Sequence, residues 1–201
     1  MSDIGIMGGT FDPIHNGHLQ LAAQALKEYE LDKILFLPTH ISWMKKDRTV
    51  TEENHRLEMV RLAIEDFPNY ELSMVEIEAG GNSYTYQTLE TLKERGAGDE
   101  FYFILGADSL LSMEKWLHPE RILQSAIILA AVRDDCDKDM LKKQAQYLIR
   151  KYHGHICLLD LPPMDISSTK IRNEFYDNPG ISEMLPEKVA EYIRQNQLYR
   201  S

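Results

Sequence analysis

Short apolar runs alternate along the chain with longer segments in which apolar side chains recur every three or four positions. The runs have the length of buried strands, and they lie at residues 4–7, 34–37, 101–105, 127–132 and 156–159. Residues 72–77 add a candidate strand in which apolar and polar positions partly alternate. Continuous apolar runs are typical of strands covered on both faces, so the pattern predicts a buried, mostly parallel sheet.

The intervening segments have the spacing of amphipathic helices. The first predicted helix begins near Asn16, and the second follows Thr51 as its N-cap and ends near Phe67. Further helices are predicted at residues 85–95, 110–116, 119–123, 139–152, 168–176 and 186–196. This alternation predicts a Rossmann-like, doubly wound α/β fold with helices on both faces of the sheet. Ligands of such folds bind beyond the carboxyl ends of the strands, where Gly8-Gly9 and Gly106-Ala107-Asp108 lie here.

Composition narrows the class of ligand. The chain has 201 residues, of which 32 are acidic and 22 basic, giving a formal charge of -10. This balance argues against binding to nucleic acid or to an anionic membrane, so a bound nucleotide must be held by local positive groups. Its start lacks a signal-peptide pattern, residues 126–132 are too short a run to span a bilayer, and Cys136 and Cys157 match no redox or metal spacing. We therefore expect one cytoplasmic domain.

The stretch from Gly8 to His18 has the features of a phosphate site. A glycine pair after a strand lets a ligand approach the backbone, and the helix that follows offers unpaired N–H groups. His15 and His18 would share one side of its first turn. An ordinary turn with surface histidines is the alternative, since the stretch lacks both G-x-G-x-x-G and G-K-[ST]. The spacing H-x-x-H without a third ligand predicts no side-chain metal site.

As an ordered string, Gly-Gly-Thr-Phe-Asp-Pro-Ile-His-Asn-Gly-His at residues 8–18 resembles the signature of the T/H-x-G-H nucleotidyltransferase superfamily. Its glycine pair and F-D-P-x-H are most similar to nicotinate-nucleotide adenylyltransferases. Those enzymes make deamido-NAD, or nicotinate adenine dinucleotide, from nicotinate mononucleotide and ATP in NAD biosynthesis. The resemblance covers most of the chain and implies the same adenylyl transfer by a single nucleotidyltransferase domain spanning residues 1–201.

For ATP, the resemblance implies binding residues on several loops. They are Gly8, Gly9, Thr10 and Phe11, then Gly106 and Asp108 for the ribose, Arg133 after the fifth strand, and Ser168 and Thr169 for the phosphates. The segment Ile-Ser-Ser-Thr-Lys-Ile-Arg at residues 166–172 suits phosphate because hydroxyls and N–H groups meet a guanidinium fork at a helix start. The alternative for this segment is a plain serine N-cap, and the alternative for Asp108 is a helix N-cap or an acid in the first helical turn.

For catalysis, the resemblance implies His15, His18, Lys45 and Arg172, with Lys46 as an alternative to Lys45. These groups would stabilise charge on the α-phosphate and the departing pyrophosphate, with Mg²⁺ carried by the ATP phosphates. The substrate phosphate has a second pKa of about 6, so no general base is expected. Arg56 also resembles a family arginine, but an exposed helix charge is the expectation there.

For nicotinate mononucleotide, the resemblance implies Ser83, Tyr84, Thr85 and Trp116. Trp116 would stack on the ring, and Thr85 with nearby N–H groups would face the ring carboxylate. A core tryptophan is the alternative. We expect the acid to be preferred over its amide, although the approach of Glu114 could reverse this choice. Related transfer to nicotinamide mononucleotide or phosphopantetheine, cytidylyl transfer, and a non-catalytic nucleotide-sensing module remain open, as does a homo-oligomer.

Overall fold

The computed structural model describes residues 2–42, 50–132, 138–162 and 165–200. The strands in these ranges are β1 (Asp3–Gly9), β2 (Lys33–Pro38), β3 (Ile41–Ser42), β4 (Tyr70–Leu72), β5 (Asn82–Ser83), β6 (Glu100–Gly106), β7 (Ile127–Val132) and β8 (Ile156–Asp160). Six of them form one parallel sheet in the order β4-β2-β1-β6-β7-β8, and β3 pairs with β5 in a separate small ladder.

Helices connect the strands and cover both faces of the sheet. They are α1 (Asn16–Glu28), α2 (Glu53–Ile64), α3 (Val75–Ala79), α4 (Thr85–Glu94), α5 (Ala107–Ser112), α6 (Pro119–Ser125), α7 (Lys138–Tyr152), α8 (Ser168–Glu174) and α9 (Glu187–Gln195), with 3-10 helices at Met113–Lys115 and Pro179–Met184. No helix in the described ranges is long and apolar enough to cross a membrane.

The strand order reverses at β1. From β1 the chain moves outward to β2 and β4, and then it returns to place β6 on the other side of β1 before continuing to β7 and β8. This is the doubly wound α/β topology predicted from the sequence. The loops after β1 and β6 therefore flank one crevice at the carboxyl edge of the sheet.

Side chains along β1 point alternately to the two faces of the sheet, so the strand contributes to two layers of the core. Ile4 and Ile6 pack with Leu89 of α4 and Leu110 of α5, while Met7 packs on the opposite face with helices such as α2 and α9. Gly5 faces that second layer at a point where a Cβ atom would lie 2.3 Å from the Ile34 side chain. The central strand therefore needs a glycine there for β2 to pack closely.

Two sequence predictions need correction. Residues 72–77 do not form a strand: β4 ends at Leu72, and the chain turns into α3, which buries Val75 and Glu76. The Ser73 N–H still donates to Phe36 O, which is the last bond of this ladder, and the chain then leaves the edge of the sheet. Thr51 is not the cap of α2, since Glu52 takes that position and the Thr51 N–H donates to the Asp12 carboxylate at 3.4 Å.

Candidate active site

Two cavities formed by described residues open at the carboxyl edge of the sheet. The larger, of about 580 Å³, lies between the loop after β1, the start of α5 and the start of α8. The smaller, of about 180 Å³, lies beside it against α3 and α4. Both are lined by Gly8, Gly9, Thr10, Phe103, Ser109 and Trp116. The glycine loop therefore lies where molecules bound in the two cavities would meet.

The loop after β1 is shaped by local steric constraints. A Cβ atom at Gly9 would lie 3.2 Å from the Phe11 ring, so glycine allows this ring to fold back against the strand end. Phe11 has a φ of 48°, an uncommon conformation for a bulky residue. Its side chain is buried and packs against Phe36 and the edge of His18. Phe11 thus lines the larger cavity mainly as a support for the loop.

The two histidines of the motif lie together at the start of α1. His15 is the N-cap residue and is buried, and its ring stacks on that of His18 with centroids 3.7 Å apart. Gly17 makes room for this arrangement, because a Cβ there would lie 3.1 Å from His15 Nδ1. The His15 N–H donates to His18 Nδ1 at 3.2 Å, so the proton of a neutral His18 ring is on Nε2. That N–H is the group His18 offers to an anion.

The start of α8 faces the same cavity from the opposite side. Ser167 is the N-cap and accepts from the Lys170 N–H, whereas the Ser168 hydroxyl donates to Pro13 O at 2.9 Å. One arm of the Arg172 guanidinium donates to Asp12 O at 2.6 Å and the other to Thr169 Oγ1 at 3.0 Å. Ser168, Thr169 and Arg172 all line the larger cavity. The C-terminal segment is therefore attached directly to the loop after β1.

Gly106 and Asp108 lie at the start of α5 on the third wall of the larger cavity. Gly106 is the N-cap residue, so the N-cap alternative for Asp108 is wrong, and Asp108 lies in the first helical turn. Its side chain is exposed at the cavity edge. A carboxylate there can accept from sugar hydroxyls while remaining favourably placed at a helix start.

The smaller cavity brings together the residues predicted for the mononucleotide. Ser83, Tyr84, Thr85 and Trp116 all line it. Thr85 is the first residue of α4, so N–H groups of the first turn without a helical acceptor lie at this wall. Trp116 contacts Phe103 edge to face, with centroids 6.2 Å apart. Glu114 is not among the lining residues and instead accepts from Tyr147 and Lys151 on α7.

The acidic group of this cavity is Glu76, which the sequence did not indicate. Its side chain is 8% exposed, and Oε1 accepts from the Thr88 hydroxyl at 2.9 Å. Burial raises the pKa of the Glu76 carboxyl, and hydrogen bonds from the Ser83 and Thr88 hydroxyls oppose this increase. Among the described residues of the lining, no lysine or arginine offsets the burial. Burial thus shifts the protonation balance of Glu76 toward the neutral carboxyl.

The structure contradicts the expectation of an exposed Arg56. This side chain is 2% exposed and donates to three backbone carbonyl oxygens, those of Thr10 at 2.8 Å, Thr51 at 3.1 Å and His40 at 3.4 Å. It lies behind the glycine loop and connects that loop to α2. A buried guanidinium is stable here because its N–H groups are paired with carbonyl oxygens.

Asp12 and Tyr199 form a second connection that the sequence did not reveal. The Tyr199 hydroxyl donates to Asp12 Oδ1 at 2.9 Å, and Asp12 is 2% exposed. Although burial alone would raise the pKa of Asp12, hydrogen bonds from Thr51 and Tyr199 and the charge of Arg172 hold it below the ordinary value of 3.8. An ionised Asp12 thus attaches the end of the chain to the loop after β1.

The remaining predicted residues, Lys45 with its alternative Lys46, and Arg133, lie outside the described residues. Within the described ranges, no group of three or more His, Cys, Asp or Glu side chains is arranged to hold a metal ion. Beside the carboxyl groups of Asp12, Asp108 and Glu76, the described lining thus contributes hydroxyls, N–H groups, the two histidines and Arg172. Such groups suit the binding and neutralisation of phosphate oxygens.

Comparisons with known proteins agree with this geometry. Residues 6–174 match the family model described as cytidylyltransferase-like. The chain is 41% identical over 204 residues to a probable nicotinate-nucleotide adenylyltransferase of Clostridium beijerinckii, and 42% identical over 199 residues to that of Lachnoclostridium phytofermentans. The first alignment covers 100% of both chains, and the second covers 99% of this chain and 100% of the relative.

Solved structures show the same fold. The nicotinic acid mononucleotide adenylyltransferase of Plasmodium falciparum complexed with NaAD has a TM-score of 0.81 at 22% identity, covering 99% of this chain and 98% of its own. A putative nicotinate-nucleotide adenylyltransferase from Vibrio parahaemolyticus has a TM-score of 0.70 at 20% identity, covering 100% and 97%. Together with the cavities and motifs, these matches show that the chain belongs to the nicotinate-nucleotide adenylyltransferases, within the cytidylyltransferase-like family.

Proposed function

We propose that this chain transfers the adenylyl group of ATP to nicotinate mononucleotide, giving nicotinate adenine dinucleotide and pyrophosphate in NAD biosynthesis. The observation that carries the proposal is that the two cavities meet at Gly8, Gly9 and Thr10. A nucleoside triphosphate in the larger cavity and a mononucleotide in the smaller one would bring their phosphates together at this loop. Transfer between phosphates requires this proximity.

In the proposed reaction, a phosphate oxygen of the mononucleotide attacks the α-phosphorus of ATP. A new bond forms between that oxygen and the α-phosphorus, and the bond from the α-phosphorus to the oxygen bridging to the β-phosphorus breaks. Pyrophosphate leaves with the bonding electron pair. The attacking phosphate is largely ionised at neutral pH, because its second pKa is about 6, so the protein need not remove a proton. The task of the site is positioning and charge stabilisation.

The assignment of residues follows their positions around the larger cavity. His18 offers Nε2–H to the developing charge, and His15 supports the His18 ring by stacking on it. Arg172, Ser168 and Thr169 face the phosphates from α8, and Asp108 faces the ribose from α5. Lys45 and Arg133 keep the roles that the family resemblance implies. These roles are proposals that single substitutions can test.

Magnesium enters this proposal with its substrate. Mg²⁺ prefers octahedral oxygen ligands, keeps several waters and commonly binds through substrate phosphates. We infer that it arrives on the ATP phosphates and that its charge adds to that of Arg172. We also infer that residues 1–201 act as one nucleotidyltransferase domain, because residues from both ends of the described chain pack on the same sheet. A cytoplasmic location stays a prediction from the sequence. Assembly of copies of the chain into a homo-oligomer stays a prediction.

The test is pyrophosphate release on mixing the protein with ATP, Mg²⁺ and one acceptor at a time. Nicotinate mononucleotide should give the highest kcat/KM, and mass spectrometry should identify nicotinate adenine dinucleotide as the product. Faster release with nicotinamide mononucleotide or phosphopantetheine would reassign the acceptor while retaining adenylyl transfer. Binding of ATP with no release for any acceptor would instead support a nucleotide-sensing module.

A further inference from the structure

The smaller cavity contains buried polar atoms that have no partner within the protein. Among the described residues, Thr39 Oγ1, Glu76 Oε2 and Trp116 Nε1 are fully buried side-chain atoms of its lining without a hydrogen bond. Buried polar groups are nearly always paired, and each one left unpaired costs roughly 1–3 kcal/mol. These atoms come from distant parts of the chain and converge on one cavity. Their convergence indicates that a polar ligand completes them.

Glu76 is held in a defined orientation at this cavity. It lies on α3 next to the start of α4, and Thr88 Oγ1 lies 2.9 Å from its Oε1 and 3.2 Å from Tyr84 O. The Ser83 hydroxyl, which accepts from the His40 N–H, is close enough to lower the pKa of the Glu76 carboxyl. The contact with Thr88 fixes Oε1. The other oxygen, Oε2, is left for the cavity.

Within the part of the chain that the structure describes, the surroundings of Glu76 supply no opposing charge. The titratable side chains on the elements packed against α3 are Glu78 on α3 itself, Tyr86, Glu90, Lys93 and Glu94 on α4, and Lys33 on β2. Glu78 is paired with Arg95, and Lys33 with Glu71, at exposed positions. None of these groups contributes to the pKa of Glu76, which burial raises. When the Thr88 hydroxyl donates to Oε1, a proton on the neutral carboxyl lies on Oε2, the oxygen that has no partner among the described residues.

The cavity therefore presents donors. Neutral Glu76 offers Oε2–H, Trp116 Nε1–H can only donate, and the Thr39 hydroxyl can do either. A carboxylate on the ligand can only accept, so it matches such a set. A carboxamide brings an NH₂ group that would face one of these donors without an acceptor. The same wall would repel the acid if Glu76 were ionised, so its protonation decides which ligand fits.

We propose that Glu76 is a specificity-determining residue, whose neutral carboxyl donates from Oε2 to the ring carboxylate of the mononucleotide and thereby selects the acid over the amide. This inference rests on the proposed function, because it assigns the cavity to the pyridine ring. It differs from the sequence-based expectation, in which only Thr85 and nearby N–H groups met the carboxylate. It also makes Glu76, rather than Glu114, the acidic residue that decides between the acid and the amide.

Two substitutions separate the donor from other effects of the side chain. Glu76→Gln keeps an acceptor for Thr88 and places an NH₂ donor where Oε2–H was. Glu76→Met has similar length but no hydrogen-bonding group, and the Thr88 hydroxyl still has Tyr84 O as its acceptor. Glu78→Gln is the matched control on the same helix, because Glu78 is exposed and paired only with Arg95 among the described residues. Thermal unfolding of each variant checks that the fold is retained.

The measurement is kcat/KM for nicotinate and nicotinamide mononucleotides at saturating ATP and neutral pH, expressed as the acid-to-amide ratio. We expect Glu76→Gln to keep the wild-type ratio within roughly threefold, and Glu76→Met to lower it by roughly 10- to 100-fold, as for a lost hydrogen bond to a charged group. Glu78→Gln should keep the wild-type ratio.

Three results would overturn the inference. The first is an unchanged acid-to-amide ratio in Glu76→Met. The second is a ratio that rises at least tenfold in Glu76→Gln, because an ionised Glu76 would then have repelled the acid. The third is a preference of the wild-type protein for the amide. The Gln variant tests the idea by itself if the Met variant does not fold. A wild-type protein that turns over neither mononucleotide would refute the proposed function itself, which is a distinguishable outcome.

Discussion

Replacing Arg56 by lysine tests whether the buried guanidinium holds the glycine loop in place. The substitution keeps a positive charge but removes the fork that reaches the carbonyl oxygens of Thr10, Thr51 and His40 at once. A single ammonium group on a shorter chain can keep at best the Thr10 contact in this buried geometry. The Thr51 oxygen then loses a good hydrogen bond, and the His40 oxygen loses a weaker one at 3.4 Å.

The magnitude follows from these contacts. An unpaired buried carbonyl costs roughly 1–3 kcal/mol, and because Thr51 and His40 are half-buried, water can replace part of what their oxygens lose. The free energy of unfolding should therefore fall by about 1–3 kcal/mol. Thr10 lines both cavities, and its carbonyl position depends on Arg56. A shift of about 1 Å at a site of transfer can cost a hundredfold in rate, so kcat/KM should fall by tenfold or more.

Urea unfolding and pyrophosphate-release kinetics measure the two effects. Arg61→Lys is the matched control, because Arg61 lies on the same helix but is exposed and pairs only with Glu58 and Glu65 among the described residues. Its replacement should change stability by no more than about 0.5 kcal/mol. If Arg56→Lys is as stable and as active as Arg61→Lys, the guanidinium does not hold the loop and the reasoning fails.

Three further predictions concern the same loop. His18→Ala should fold and lose roughly a hundredfold or more in kcat, because one donor to transition-state charge is removed; the exposed His155→Ala is the control, and near-wild-type turnover would refute the role. Arg172→Lys can keep only one of the contacts to Asp12 O and Thr169 Oγ1, so KM for ATP should rise by roughly tenfold. An unchanged KM would count against a phosphate role. The pKa of Asp12 is depressed on folding, so its contribution to stability is present above the unfolded value of 3.8 and is lost as pH falls through the lower folded value. Urea unfolding between about pH 6 and 3 should therefore show an acid-induced loss of stability that is smaller in Asp12→Asn, and equal slopes would contradict this.

The sheet could be predicted from the sequence because its strands are buried on both faces. Each of β1, β2, β6, β7 and β8 coincides with a continuous apolar run, so tertiary burial and local pattern agree. The prediction of a strand at residues 72–77 was wrong because β4 is a short edge strand that ends at Leu72. Glu76 is a polar position in the sequence pattern, but it is buried and contacts Thr88. The ladder of β3 and β5 is too short to leave any periodic signal.

The motif residues could be predicted as a site, whereas the residues that hold the motif could not. Arg56 precedes Met59, Val60 and Ala63 at intervals of three, four and seven residues on the buried face of α2. That spacing indicates a buried position on the helix, but the prediction of an exposed side chain gave more weight to the charge of the arginine. Glu76 and Tyr199 gave no such signal, since their roles depend on contacts across the chain with Thr88 and Asp12. Contacts between residues that are far apart in the sequence leave no local pattern from which they can be predicted.

The buried Arg56 and the half-buried Arg172 also explain how an acidic chain can present a site for anions. A loop of peptide units carries as many carbonyl oxygens as N–H groups, and a carbonyl facing a phosphate would repel it. Here guanidinium groups bind the carbonyl oxygens of Thr10 and Asp12, one from behind the loop and one from its edge. The carboxylate of Asp12 is likewise bound by Tyr199 and Thr51. These acceptors of the motif are thus occupied within the protein. The start of α1 lies at the same loop, and a helix start favours anions, so the local potential at this loop opposes the sign of the net charge.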